Sequence, residues 1–335
     1  MARRRDIGTD DPRVRVRPGR GSRPRTKRRP DYSKAPRAMV TAVDRGRYDL
    51  RYGQRDLRAV KAREIPHGGV VVGDRVALRG DLSGRKDTLA RIVAVDPRSS
   101  VLRRSVEDGE FSGTERIMVA NATQLLIVTA LADPPPRTGM IDRCLVAAYD
   151  AQMRPALVLT KADLADGREL VSHYEPLDIA VLTTRVDDRG EITGLEPLRE
   201  LLADERTVLV GHSGVGKSTL VNALVPTAQR RIGHVNEVTG RGRHTSTSAV
   251  AFALPGGGWI IDTPGVRSFG LAHVDTDSLL QGFPELAGAA TACPRGCNHD
   301  DAYCTLDQWA HTHGEREVQR LESFRRLYHG ITGAS

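Results

Sequence analysis

Apolar positions fall into two regimes that change near residue 110. Before it, short and often β-branched runs recur at 38–43, 48–52, 69–72, 74–78 and 90–95, punctuated by Gly and Asp. In 48–52 the charged Asp49 and Arg51 alternate with Tyr48, Leu50 and Tyr52, the period of a half-buried strand. This region predicts a small antiparallel β-barrel, and the pattern alone fits several barrel types. The polar, Gly-containing stretch 108–116 reads as a linker. Beyond it the pattern alternates. A buried-type strand at 124–129 and the break Pro134-Pro135-Pro136 lead into a helix over 140–152 and a strand over 156–160. Then come a helix near 166–174, a strand over 179–183, a helix near 195–203 and a strand over 207–210. A helix over 219–225 and an apolar strand ending at Asp262 follow, and 315–328 has the spacing of a terminal amphipathic helix. Alternating strands and helices imply a mostly parallel sheet covered on both faces, with ligand loops at the carboxyl ends of its strands.

Charge changes the picture at one end. The 335 residues carry a formal +8, but residues 1–37 hold 14 Lys/Arg against four Asp/Glu. The rest carries 36 against 38, so the tail supplies all of the net positive charge. With almost no large apolar side chains it reads as a disordered basic arm suited to RNA phosphates, or as a solubilising leader. The following β region, with 15 Lys/Arg and 11 Asp/Glu through Glu110, is mildly basic. That suits an RNA-facing barrel or an ordinary charged surface. No 18-residue apolar run or signal-peptide pattern occurs, so a soluble cytoplasmic protein with no membrane partner is expected.

Three motifs carry chemistry. Residues 211–218, GHSGVGKS, fit G-x-x-x-x-G-K-[ST] between a strand and a helix, the context in which backbone N–H groups and a helix N-terminus cradle phosphates. Lys217 is expected on the β- and γ-phosphates and Ser218 on Mg²⁺. Residues 259–265, WIIDTPG, end an apolar strand in Asp-x-x-Gly: Asp262 faces Mg²⁺ through water and the Gly265 N–H senses the γ-phosphate. Residues 156–163, ALVLTKAD, end another strand in [T/N]-K-x-D. The Asp163 carboxylate can accept from guanine N1–H and the 2-amino group, a donor pair that adenine lacks. The base-reading motif precedes the phosphate loop, the reverse of ordinary small GTPases, so the domain reads as circularly permuted.

The permuted order, GHSGVGKS, GRGRHTST at 240–247, DTPGVR at 262–267 and a following Cys/His cluster together resemble the ribosome small-subunit-dependent GTPase A family over roughly residues 38–330. The resemblance implies an α/β fold: a circularly permuted P-loop GTPase domain at 112–272, an N-terminal OB-fold barrel at 38–111 and a C-terminal zinc-binding helical domain at 273–335, behind the 1–37 tail. It also implies late maturation of the small ribosomal subunit, rRNA contact, GTP and GDP binding, and subunit-stimulated hydrolysis; a monomer is expected. The nucleotide-contacting set it implies is Thr160, Lys161 and Asp163; Gly211, Ser213, Gly214, Val215, Gly216, Lys217, Ser218 and Thr219; and Thr245, Asp262 and Gly265. The chain departs from the family pattern at Thr160, where Asn is usual, and in its cysteine spacing. A pure RNA-binding factor using GTP only as a conformational switch is the alternative.

Residues 230–247 are the candidate switch, with Thr245 as second Mg²⁺ ligand and Thr247 in reserve. Many GTPases place a water-orienting Gln after Asp-x-x-Gly; here Val266 stands there, and His244, lining up with the family's proposed catalytic His, takes the role beside Lys217 or is a surface histidine in a basic loop. Cys293, Cys297, His299 and Cys304 offer three thiolates and an imidazole, a closed structural Zn²⁺ set with one more residue expected in each longer gap by the family pattern. Cys144 reads as a small core residue, and His311 and His313 as surface side chains, either of which could substitute as a ligand.

Overall fold

The computed structural model describes residues 31–105, 115–226, 228, 249–263, 269, 271, 274–301 and 303–332. Five strands close a barrel: β1 (Arg37–Asp44), β2 (Arg47–Tyr52), β3 (Arg55–Lys61), β4 (Arg75–Gly80) and β5 (Ala90–Val95), ordered β1-β2-β3-β5-β4 and back to β1. All pairings are antiparallel except β3–β5. Its interior is filled by alternating side chains such as Val40, Leu50, Leu57, Val76, Leu78 and Ile92.

Two expectations need correction. Residues 69–72 form no strand; Val70, Val71 and Val72 are buried, but single hydrogen bonds hold the segment, Val71 N–H to Asp74 Oδ2 at 2.8 Å among them, and Val72 makes one isolated bridge to Val119. Burial of apolar side chains, not ladder pairing, placed valines there. The expected linker at 108–116 runs into a strand: Glu115 and Arg116 open β7 (Glu115–Ala120), which pairs with β6 (Val101–Ser105).

Through β1 the barrel continues into one eleven-stranded sheet, whose other part is built from β8 (Gln124–Ala130), β9 (Arg154–Thr160), β10 (Ala180–Thr183), β13 (Arg206–Val210), β14 (Val250–Ala253) and β15 (Trp259–Asp262) in the order β10-β9-β8-β13-β15-β14. Only β14 runs antiparallel to its neighbour. β8 is buried along its whole length, as a strand covered on both faces must be. Alternate residues feed two cores. Leu125, Ile127, Leu157, Leu159 and Val208 pack with α1 (Thr138–Asp150) and the C-terminal helices. Leu126, Val128, Ala156, Val158 and Leu209 pack with α3 (Leu195–Leu202) and α4 (Lys217–Leu224). Between β9 and β13 also lie α2 (Arg168–Tyr174) and a two-stranded hairpin, β11 (Arg185–Val186) with β12 (Ile192–Thr193).

β1 joins barrel to sheet. Its first residues, 37–39, pair with β4 and close the barrel, whereas Ala42 pairs with Val250 of β14. The register shifts by a residue between Val40 and Ala42, and such a bulge re-aims the strand from one partner to the other. Four helices complete the chain: α5 (Thr276–Leu280), α6 (Pro284–Ala290), α7 (Thr305–His313) and α8 (Glu315–Thr332). Asp275 caps α5 through the Ser278 N–H at 2.8 Å. α8 lies against α1, where Arg326 faces Asp142 and stacks over Tyr174. No described helix is long and apolar enough to cross a membrane.

Candidate functional site

The phosphate loop leaves β13 at Gly211, which is buried so tightly that an added Cβ would lie 2.3 Å from the Val128 carbonyl oxygen. Gly214 (φ +83°) and Gly216 (φ +88°) occupy the left-handed region that favours glycine. Val215 is buried among α4 and sheet residues and pins the loop. Ser213, Gly214, Ser218 and Thr219 are exposed, and α4 begins at Lys217. The first N–H groups of that helix have no intrahelical partner and are available to an anion.

Lys217 Nζ donates to the carbonyls of Gly211 and Thr263 at 3.3 Å each. Burial pushes its pKa down, opposed by the nearby Asp262 carboxylate; burial pushes Asp262 up, opposed by Lys217. Asp262 ends β15 in register with Leu209 of β13, and its Oδ1 is buried without a hydrogen-bond partner. An orphaned buried carboxylate oxygen facing a phosphate loop fits a hydrated cation. The next residue, Thr263, donates its hydroxyl to Leu209 O at 2.6 Å, fixing the strand end.

The base-reading segment converges on the same place from the other side of β8. Thr160 ends β9, and its buried hydroxyl donates to Val215 O in the phosphate loop at 2.6 Å. Lys161, at φ +57°, donates Nζ to Asp133 O. Asp163 is exposed; its Oδ1 accepts the Val186 N–H at 3.0 Å, leaving its second oxygen available. Thr184 is buried and its carbonyl accepts the Ala162 N–H at 3.1 Å. The β11–β12 hairpin that presents Val186 is absent from the sequence expectations. Its signal is Asp187-Asp-Arg-Gly190: Asp187 Oδ1 accepts the N–H of Arg189 and Glu191, each at 2.9 Å, an Asx-type turn. His244, Thr245, Thr247 and Gly265 lie outside the described residues.

The second constellation sits before α7. Ligand atoms of Cys293, Cys297, His299 and Cys304 all lie within 4.8 Å of one another. Cys304 Sγ is 3.8 Å from Cys293 Sγ and 3.9 Å from His299 Nδ1. Burial holds the His299 pKa below the ordinary histidine range, which disfavours the charged ring, and burial pushes the Cys304 thiol up to about 12. Three thiols and an imidazole converging on one point fit a closed tetrahedral metal site. Arg325 of α8 secures the loop, donating to His299 O at 3.0 Å and to both Asp307 carboxylate oxygens at 2.7 Å. His311 and His313 are exposed and stand outside this set; the His313 ring stacks on Trp309. Cys144 is fully buried in α1.

A family model described as RsgA GTPase matches residues 95–272, more than half of the chain. The chain belongs to the RsgA GTPase family. Curated relatives called small ribosomal subunit biogenesis GTPase RsgA extend the match. That of Ectopseudomonas mendocina is 40% identical over 266 residues, covering 77% of this chain and 74% of the relative. That of Chlorobaculum parvum is 36% identical over 304 residues, covering 86% and 96%. Among solved structures, YjeQ from Thermotoga maritima superposes with a TM-score of 0.63 at 25% identity, covering 89% of this chain and 99% of that one. YloQ, described as a circularly permuted GTPase, superposes at 0.59 and 20% identity, covering 89% and 96%, and shows the shared fold. The fold is thus that of a circularly permuted GTPase with a closed five-stranded barrel and a Cys₃His group able to hold a metal ion.

Proposed function

We propose that this protein is a GTP hydrolase that binds the small ribosomal subunit, assists its late maturation and leaves it when GTP is hydrolysed. The observation that carries the reading is the convergence of three separated segments, Thr160–Lys161–Asp163, residues 211–219 and Asp262–Thr263, in a member of this family. The names of the relatives supply the small subunit as the partner.

Asp163 reads guanine, with the Val186 N–H holding one carboxylate oxygen so that the other meets the base. Thr160 ties the base-reading segment to the phosphate loop. Backbone N–H groups of residues 213–219 bind phosphate oxygens, and Lys217, parked on two carbonyls, moves onto the β- and γ-phosphates. Ser218, Asp262 and Thr245 hold Mg²⁺, which neutralises phosphate charge when bound. Gly265 senses the γ-phosphate, and His244 orients the attacking water in place of the Gln that Val266 displaces. Lacking that Gln, the protein alone turns over slowly, on the order of 10⁻³ s⁻¹ or less. Cys293, Cys297, His299 and Cys304 hold one structural Zn²⁺ that cross-links the loop before α7, and Arg325 of α8 secures that loop from outside. The basic 1–37 tail and the barrel at 38–111 contact rRNA, the GTPase domain spans 112–272 and the metal-binding part 273–335. The protein works in the cytoplasm as a monomer.

The test is GTP hydrolysis by zinc-replete protein alone and with added small or large subunits. Stimulation by small subunits only is expected, and His244→Ala should bind GTP normally yet hydrolyse it poorly with or without subunits. GTP binding with no stimulation would favour a nucleotide switch without catalysis.

A further inference from the structure

Asp262 is placed by a row of strand partners that begins in the barrel. Ala42 of β1 pairs with Val250 of β14, Val250 with Asp262 of β15, and Asp262 with Leu209 at the end of the phosphate-loop strand. β14 and β15 are four residues each, so either end of β15 depends on what holds the other. The first residue of β15 is Trp259, and the barrel reaches it: the Arg51 guanidinium of β2 lies 5.7 Å from the Trp259 ring centroid, within cation–π range. That guanidinium is already oriented, with Nε 3.3 Å from Asp56 Oδ1 and a hydrogen bond to Gln54 O at 3.1 Å. At the far end of the same strand, the Asp262 Oδ1 is buried without a hydrogen-bond partner, and the carboxylate otherwise meets the Thr263 backbone N–H and the charge of Lys217, so its aim depends on where the strand end is held.

We propose that Arg51 is a positioning residue for Asp262: through Trp259 and the β1–β14 junction, the barrel holds the strand whose last residue presents the magnesium-side carboxylate. This rests on the reading of Asp262 given above. The barrel is then part of the nucleotide site's support as well as a docking surface. Arg51 touches neither nucleotide nor metal in this arrangement. Its effect passes through a rigid strand a few residues long, flanked by hydrogen-bonded neighbours, and a short contiguous path of that kind can be tested pair by pair.

The experiment titrates Mg²⁺ against the binding of a non-hydrolysable GTP analogue to full-length wild type, Arg51→Ala, Trp259→Leu and Trp259→Phe, with thermal unfolding alongside. Loss of a support to a metal-facing carboxylate raises the Mg²⁺ needed for half-maximal strengthening of binding on the order of tenfold in Arg51→Ala and Trp259→Leu. Analogue affinity without Mg²⁺ should stay at the wild-type level, and Trp259→Phe, which keeps a ring under the guanidinium, should behave as wild type. A wild-type Mg²⁺ requirement in Arg51→Ala overturns the proposal. So does an equal loss of affinity with and without Mg²⁺, or a Trp259→Phe variant as impaired as Trp259→Leu. Should Trp259→Leu fail to fold, Arg51→Ala, altered only at the barrel surface, decides alone. If Mg²⁺ does not strengthen analogue binding to wild type, or Asp262→Asn keeps the full effect, the reading of Asp262 falls and the proposal with it; a wild-type Mg²⁺ effect shared equally by Arg51→Ala sinks only the proposal.

Discussion

The Thr160 hydroxyl donates to the Val215 carbonyl at 2.6 Å, joining the end of the base-reading strand to the phosphate loop. The family resemblance leads one to expect Asn at this position, and in this chain the Thr hydroxyl supplies the donor. Thr160→Val keeps the shape and removes the donor, leaving a buried carbonyl unmatched. Nucleotide affinity should fall by roughly fivefold, about 1 kcal/mol, while Thr160→Ser binds as wild type. Titration with a fluorescent GDP derivative checks both.

Gly211 and Gly214 stand in the same loop under different constraints. A Cβ at Gly211 would meet Val128 O at 2.3 Å, a backbone atom that cannot move aside; at Gly214 the nearest atom is Pro134 Cδ at 3.6 Å, and the cost is a positive φ alone. Gly211→Ala should therefore lose about 1–3 kcal/mol of stability, more than Gly214→Ala, and bind nucleotide poorly. Denaturant unfolding of the two variants side by side gives the comparison.

These cases show why the placement of the candidate site in the fold was legible from the chain. The phosphate loop is a local motif whose residues meet because they are neighbours, and Gly211, Lys217 and Asp262 fall where strand–loop–helix reasoning put them. The Val186 N–H on Asp163 is a long-range contact with no local signature beyond a turn. In the barrel, β3 escaped notice because only Leu57 and Ala59 point firmly inward, and Arg55, Asp56 and Arg58 give its outer face the composition of a loop. Residues 69–72 erred the other way. Valines advertised a strand, but Gly73, whose added Cβ would strike Ala120 O at 2.0 Å, turns the chain before a ladder can form.

The Cys₃His group should bind one Zn²⁺ per chain. Cys297→Ser leaves two thiols and an imidazole, so zinc measured by plasma mass spectrometry should drop well below one equivalent. Thermal stability should fall by several degrees, since the loop anchored by Arg325 loses its centre. Chelator treatment of the wild type should reproduce the shift, and an unchanged melting curve after complete metal removal would count against a structural role.

Glu205 gives a pH signature. The Thr123 hydroxyl, at 2.5 Å, and the Arg154 guanidinium hold its carboxyl below the ordinary glutamate range. A depressed folded-state pKa stabilises above the unfolded value, and that contribution is lost as pH falls through the folded one. Glu205→Gln should thus cost about 1 kcal/mol near neutrality and progressively less below about pH 4.5. Melting curves of both proteins between pH 7 and pH 3, spanning the range about the ordinary glutamate value, should converge at the acid end.

Because β4 closes back on β1, the eleven-stranded sheet has one open side among the described residues, at β10. That strand is four residues long. At that edge a further strand would find a template of only four residues, too short to hold an extended partner by backbone pairing alone.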